Sequence, residues 1–363
     1  MKIVTKYLLR EILGPFFFGL LAFSGMFLGF ALINIIQWAE VYNIPFFTVL
    51  KLWSYLFPEN IAYGAYIGML LATLLGLGRM TGHSETIAMQ AGGVSFVQIA
   101  TPVLITGLVV SMVTFFFNET LTPMGKMAYR KERAYLISHK PQGIIKNHFF
   151  TEYGKNGVKR LVYAEEYYIA EERFHNVMIQ EVKGEKLIRT IKTKELLWGK
   201  DSWYFHEGEL FYYKEDSVVP IRVAEGNNPS GLENTPKQVS ILAQKPEEMS
   251  WSELRWYLKN TNLNKKTRNR LEVQFHLKLA MPFASFLFAL LGTPLALQSQ
   301  RRTSSTGLGL CIVYVIIYYL LMALGSFLGH SGTVPPFIGA WFQNIIVGLF
   351  GGYMFLRKAL YLG

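Results

Sequence analysis

The stretch RMTGHSETIAMQAGGV, residues 79–94, is a short polar interruption between two long apolar runs. Ser84 stands where an N-cap would, and Glu85 falls in the first turn, where a carboxylate complements the positive end of a helix. Gly92 and Gly93 supply the stop. The predicted helix is about two turns long. Nucleation costs more than two turns of hydrogen bonds return, so such a helix is ordered only by docking against something else. Two readings of this spacing stand side by side: an ordinary tight connection between membrane helices, or a lever that inserts into a cytoplasmic partner.

Composition supplies the membrane. Of 363 residues, 51% are hydrophobic and 17% are charged, and mean hydropathy is +0.23, too apolar for a soluble chain with this many long uncharged runs. The formal charge of +11 could suggest nucleic acid, but no basic run interleaves with aromatic residues on a predicted sheet and no zinc-finger spacing occurs. A surface of membrane lipids is the better sink for it. The one cysteine, Cys311, lies inside an apolar run, which rules out an intrachain disulfide and a cysteine-based metal site.

The chain opens with MKIVTKYLLREIL, a basic amphipathic start. The apolar run after it, 12–36, is too long for a signal-peptide core and lacks a small-residue cleavage site, so it reads as a retained first span with Pro15 in its first turn. Further spans are predicted at 61–78, 99–117, 277–297, 307–328 and 337–356, which makes six, three before and three after a long insertion. Lys2, Lys6, Arg10, Arg79, Arg301, Arg302, Arg357 and Lys358 fall on one side, and among the short loops only Lys51 falls on the other. By the positive-inside rule both termini are cytoplasmic. Trp38, Tyr42 and Trp53 then flank the outer interface.

The insertion, 125–270, therefore lies outside the cytoplasm. Its pattern is β: VKRLVYA, YYIAEE, NVMIQEV, KLIRTIKT, SWYFHEG, LFYYKED and SVVPIRVA recur at short intervals. Gly154, Asn156 and Gly157 precede the first segment, and Gly184, Gly199 with Asp201, and Gly208 separate later ones. Short antiparallel strands at this spacing make a sandwich or jelly roll, either self-contained or with edges that receive another chain. Ser250 and Glu253 then frame a capping box, opening a short amphipathic helix over 251–260. Lys265, Lys266, Arg268 and Arg270 precede the fourth span, and Lys278 sits about two turns inside it, close enough to snorkel. The cluster attracts either ordinary anionic headgroups or the phosphates of a transported glycolipid.

Several chemistries are excluded. There is no phosphate-binding G-x-x-x-x-G-K-[ST], no H-E-x-x-H and no G-x-S-x-G. The middle of each span carries no Asp, Glu, Lys, Arg or His, the groups a proton relay needs. The cytoplasmic pieces are far too small for a nucleotide-binding domain. Any energy enters from a separate ATPase, which would have to grip the short helix at 84–92.

SETIAMQAGG after the second span, LEVQFHLKLAMPFASFLFALLGTPLAL through the fourth and PPFIGAWFQN opening the sixth, set in a three-plus-three array, together resemble the LptF/LptG family of lipopolysaccharide export permeases. The resemblance implies an α-helical integral membrane protein with six transmembrane helices and an inserted periplasmic all-β jellyroll-like domain. Residues 1–124 would hold helices 1–3, 125–270 the jellyroll, and 271–363 helices 4–6. It implies the bacterial inner membrane, a second LptF/LptG-type subunit, and an LptB-type ATPase dimer that uses ATP and Mg while this chain binds no cofactor. Lipopolysaccharide would enter near the first and fifth spans and leave along the jellyroll toward LptC- and LptA-like proteins. The family's coupling segment falls on Ser84, Glu85, Thr86, Met89 and Gly92, with Glu85 making the charged contact. Family members often carry lysine or arginine at the outer end of the first span, whereas this chain has Asn34, Gln37 and Glu40 there. Either the partner subunit supplies that charge or the cluster at Lys265 to Arg270 does, and the substrate-binding candidates in this chain are Asn34, Gln37, Lys265, Lys266, Arg268, Arg270 and Lys278.

Two other classes compete with transport. An ATPase-coupled mechanotransmission or assembly protein would share the coupling helix without a lipid-sized cavity. An enzyme modifying lipids would need acid–base groups near the outer interface, where Glu119, Glu272 and His276 are the candidates.

Overall fold

Hydrocarbon offers no partner to backbone N–H and C=O groups, so each long apolar run must satisfy its own as a helix. The computed structural model describes residues 2–42, 44–138, 144–153, 158–168, 171–184, 186–199, 202–214, 217–223, 226–236, 238–239, 249–261, 263, 265–297 and 304–361. Helices α1 (Lys2–Tyr42), α2 (Phe46–Ser54), α3 (Phe57–Gly82), α4 (Glu85–Ala91), α5 (Phe96–Glu119) and α6 (Leu121–Ser138) precede the strands. Helices α7 (Trp251–Asn260), α8 (Lys265–Ala296), α9 (Ser304–Ser331) and α10 (Pro336–Tyr361) follow them. Among the described residues, six helices are long and apolar enough to cross a membrane: α1, α3, α5 with its continuation into α6, α8, α9 and α10. The chain divides into two units, Met1–Tyr129 with Lys265–Gly363, and Arg130–Asn264.

In the helical unit α3 and α8 are mostly buried, whereas α1 and α9 are mostly exposed. Leu70, Leu74 and Leu77 of α3 pack with Leu8 and Ile12 of α1 and with Phe288 and Leu291 of α8. Small residues let the backbones close. A Cβ on Gly68 of α3 would lie 2.9 Å from the Leu20 nitrogen of α1, and one on Gly64 would lie 2.1 Å from the Ser24 hydroxyl oxygen. Gly107 of α5 and Gly325 of α9 make the same kind of approach to α8 and α10. Association of helices in lipid rests on this packing, because lipid tails give apolar side chains no reason to prefer one another. Two buried threonine hydroxyls are answered locally, Thr73 donating to the Met69 carbonyl at 2.8 Å and Thr293 to that of Ala289 at 2.7 Å.

Helix boundaries differ from the sequence reading. The first helix begins at Lys2 rather than at 12 and runs 41 residues, so Pro15 lies inside it and not in its first turn. The basic amphipathic start is simply continuous with the apolar run. Pro15 has no N–H for the Glu11 carbonyl, and α3 closes on that spot: a Cβ on Gly76 would sit 2.8 Å from the same oxygen. Trp53 of α2 donates its indole N–H to the Leu28 carbonyl at 2.9 Å, folding α2 back along α1. The third span continues as helix to Ser138, and α8 starts at Lys265, so the four cations from Lys265 to Arg270 occupy its first two turns. Arg301 and Arg302 lie outside the described residues.

The sheet unit is one antiparallel sheet of eight strands: β1 (Ile144–Tyr153), β2 (Val158–Tyr168), β3 (Arg173–Lys183), β4 (Lys186–Trp198), β5 (Trp203–Phe205), β6 (Gly208–Lys214), β7 (Ser217–Val223) and β8 (Asn228–Pro229). The long β4 serves two partners: β6 along Arg189–Thr193 and β5 at Leu197 and Trp198. β1 was missed in the sequence reading. The segment YYIAEE supplies the end of β2 and a turn rather than a strand of its own. Gly154, Asn156, Gly157 and Asp201 lie outside the described residues, while Gly184 turns with φ +64° between β3 and β4. One face buries Phe150, Val162, Val177, Ile179, Ile191, Phe174 and Trp203. Across that face Glu152, Arg160, Glu181 and Arg189 stand opposite one another on successive strands, linked at 3.1, 3.1 and 2.8 Å. Glu152 also accepts the Glu233 and Asn234 backbone N–H groups, at 3.0 and 2.7 Å. Burial pushes the Glu181 carboxyl up, but hydrogen bonds from Arg189 and Arg160 outweigh it and leave its pKa lowered.

Two outcomes test this packing. Gly64→Leu should push α1 off α3 and cost at least the ~1–3 kcal/mol of an overpacked core, seen as a lower melting temperature in detergent. Gly14→Leu, where a Cβ meets nothing within 4 Å, should leave it unchanged. In the sheet, His148 stacks 5.1 Å from Phe150 and is 4% exposed, and burial lowers its pKa to about 4 from 6.5. The unfolded chain takes up a proton near pH 6.5 and the folded one only near pH 4, so stability should be complete above pH 6.5 and decline as pH falls, by about 3 kcal/mol in all. His148→Phe should flatten that decline, read as protease resistance of Arg130–Asn264 between pH 4 and 7.

Candidate functional site

At one end of the helical unit α4 hangs from α3 by two residues. Ser84 takes the N-cap position but does not cap: it adopts φ 59°, ψ 13°, and its side chain makes no capping hydrogen bond. This corrects the sequence reading of Ser84, because a capping hydroxyl needs extended backbone at that position and the abrupt reversal from α3 imposes the left-handed form. A non-glycine residue there costs about 1–2 kcal/mol. The stop is shared, with Gly92 as C-cap at φ −80° and Gly93 left-handed at φ +86°. Val94 N–H then donates to the Met89 carbonyl at 3.0 Å, closing the helix end. The true capping box here belongs to α5, where Ser95 and Gln98 cap each other.

The seven residues of α4 are held on one face only. Thr86 is buried and donates to the Thr81 hydroxyl at 3.3 Å, Met89 packs on the helical core, and Glu85 accepts the Tyr7 hydroxyl of α1 at 2.8 Å. One turn along α1, Glu11 is ion-paired with Arg79 of α3. The opposite face of α4, Ile87, Ala88 and Ala91, is exposed, as are His83, Ser84 and Gly92. Of the predicted coupling residues, Glu85, Thr86 and Met89 thus face inward or sideways, while Ser84 and Gly92 mark the ends. Ile87, Tyr7 and Glu11 were not singled out from the sequence. Tyr7 and Glu11 are four apart, which puts them on one helix face, but their partners lie about seventy residues away and no local spacing announces them.

At the other end of the same unit, Asn34 and Gln37 are exposed on α1, beside Ile33 and Ile36. A groove of about 610 Å³ runs between the end of α1 and α2, lined by Leu32, Ile36, Ala39, Glu40, Phe46 and Leu50. Lys265, Lys266, Arg268 and Arg270 are exposed on the first turns of α8, and Arg268 pairs with Glu272 at 2.8 Å. Cations at a helix N-terminus oppose its positive end, so the local field favours an anion there. Lys278 is half-buried further along α8. Among the acid–base candidates, Glu272 is taken up by Arg268, and His276 sits edge-on between the rings of Phe275 and Phe337 at 5.1 and 5.3 Å. Among the described residues no group of three His, Cys, Asp or Glu could hold a metal ion.

The sheet unit carries its own surface. Phe149 and Tyr163 are exposed on the face away from its core, and Tyr163, Met178, Lys192, Lys194, Glu207 and Glu209 line a concavity of about 890 Å³, in which two lysines are matched by two carboxylates.

A family model described as "Lipopolysaccharide export system permease LptF/LptG" matches residues 6–357. The "Lipopolysaccharide export system permease protein LptG" of Escherichia coli strain K12 is 21% identical over 322 residues, covering 83% of each chain. The protein of the same description from Escherichia coli O6:H1 strain CFT073 matches equally.

Proposed function

We propose that this chain, which belongs to the LptF/LptG family of lipopolysaccharide export permeases, is driven at α4 by a separate cytoplasmic ATPase and lifts its substrate along α1 and α8. As a member of that family it is a multi-pass, non-catalytic permease subunit of the lipopolysaccharide export system, in the inner membrane. The observation that carries the mechanism is the one-sided docking of α4. Seven residues cannot hold a helix in water. Three inward contacts order it, and they leave Ile87, Ala88 and Ala91 as a small apolar surface turned away from the chain. A pocket on an LptB-type ATPase dimer, which would bind the ATP and Mg, fits that surface, and Glu85 keeps a second carboxylate oxygen for a cation of the partner.

Residues 1–124 and 271–363 form the membrane part in this scheme, and 125–270 the periplasmic jellyroll domain, bordered by helical extensions. α1 and α9, the first and fifth spans, expose Phe18, Leu21, Phe30, Ile316, Leu320 and Phe327, the apolar faces a second permease subunit and the entering acyl chains would cover. Lipopolysaccharide phosphates would meet Lys265, Lys266, Arg268, Arg270 and Lys278, with Asn34 and Gln37 offering neutral hydrogen bonds where relatives often place cations. The exposed face of the sheet, with Phe149, Tyr163 and the concavity beside them, would then receive the substrate on its way to LptC- and LptA-like proteins.

Affinity purification in mild detergent should recover both an ATPase and bound glycolipid; recovery of the ATPase with no glycolipid would point to mechanotransmission without transport. Ile87→Asp leaves every hydrogen bond of α4 named above in place, so it should cut ATPase recovery at least tenfold with normal membrane insertion. Glu85→Lys should do the same, and unchanged recovery in both would end the coupling role. Reversing the charge of Lys265, Lys266, Arg268 and Arg270 together should lower photocrosslinking to lipopolysaccharide severalfold. Undiminished crosslinking would return those residues to contact with ordinary headgroups.

A further inference from the structure

We infer that Tyr7 and Glu11 are positioning residues that brace the joint between α3 and α4 against α1, so that force received by α4 is delivered to α1 instead of being spent in bending at Ser84. The inference rests on the transport function proposed above and adds the route the force takes.

The joint has little stiffness of its own. Only His83 and Ser84 separate the two helices, Ser84 is left-handed, and no side chain caps it. Thr86 bonds to Thr81 and Met89 packs on the core, which ties α4 to the end of α3. Neither contact involves a hydrogen bond to α1. Two other contacts do. Arg79, before the joint, is paired with Glu11, and Glu85, after it, accepts the Tyr7 hydroxyl. Because Tyr7 and Glu11 stand one turn apart on one face of α1, the two bonds straddle Ser84. A rotation at Ser84 moves Glu85 relative to Arg79 and must therefore stretch one bond or the other. Glu11 is well shielded, with its side chain 12% exposed, and its backbone carbonyl lies against Gly76 of α3. The brace is thus seated on the same seam that binds α1 to α3, and α1 continues unbroken from the brace to Asn34 and Gln37.

The test uses the complex purified with its ATPase, carrying Tyr7→Phe with Glu11→Gln. Lipopolysaccharide released per ATP hydrolysed should fall at least fivefold in the recovered complex, a much larger loss than that in ATPase recovery, because Tyr7 supplies only one of the three contacts that order α4. Spin labels at Val41→Cys and Thr333→Cys, usable because Cys311 is buried, should show a nucleotide-dependent distance change that shrinks in the variant. Arg79→Glu alone should impair release, and Arg79→Glu combined with Glu11→Arg should restore at least half of what was lost. An unchanged release ratio, or release and ATPase recovery falling in parallel, would overturn the brace. If the unaltered complex released no lipopolysaccharide, the transport function would fail. The label distances would still judge the brace, and no nucleotide response in the unaltered complex would overturn it.

Discussion

Close backbone contact between α1 and α3 is the constraint on which the membrane part depends. In lipid, apolar side chains gain nothing by leaving hydrocarbon for one another, so a helix is held by the depth of its fit and by the polar groups it satisfies. Gly64 against Ser24, Gly68 against Leu20 and Gly76 against the Glu11 carbonyl set that fit along several turns. α1 exposes most of its remaining surface, so this seam carries much of what fixes it. The same seam places Tyr7 and Glu11 beside Glu85 and Arg79, and it leaves the opposite side of α1 free for a second subunit or a lipid.

The six spans were legible because length and absence of charge are properties of contiguous residues. Their ends were less so. The start of α1 is amphipathic rather than apolar, and a reading keyed to hydrophobic runs began the helix at 12, ten residues late. β1 was hidden because Lys146, Asn147 and His148 interrupt its apolar residues, and Asn147 at φ 49° breaks the alternation a strand would show. Ser84 and Ser95 show how weak a single capping residue is as a signal. Ser95 has glutamine three positions on and forms the reciprocal box; Ser84 has a serviceable sequence context and does not cap at all, because the preceding chain reversal sets its backbone. The two bonds of Tyr7 and Glu11 join residues about seventy positions apart and depend on how two helices pack, which no local period encodes.

The end of the helical unit away from α4 presents an unusual electrostatic arrangement. Lys265, Lys266, Arg268 and Arg270 crowd the positive end of α8, and Glu272 answers one of them. A fold under no other demand would place carboxylates there. The cost is tolerable because the site is exposed, where solvent and salt screen the charges. The sheet unit solves a similar problem internally: Arg160 and Arg189 are interleaved with Glu152 and Glu181, and no member is left without a counterpart.

The uninterrupted length of α1 has a geometric consequence. Its 41 residues reach about 60 Å, roughly twice the hydrocarbon thickness. A tilt of only ~5° about its N-terminal tip would sweep the opposite tip through ~5 Å, one helical pitch. Small angular strokes at one tip are thereby magnified into displacements comparable to the width of an acyl chain at the other.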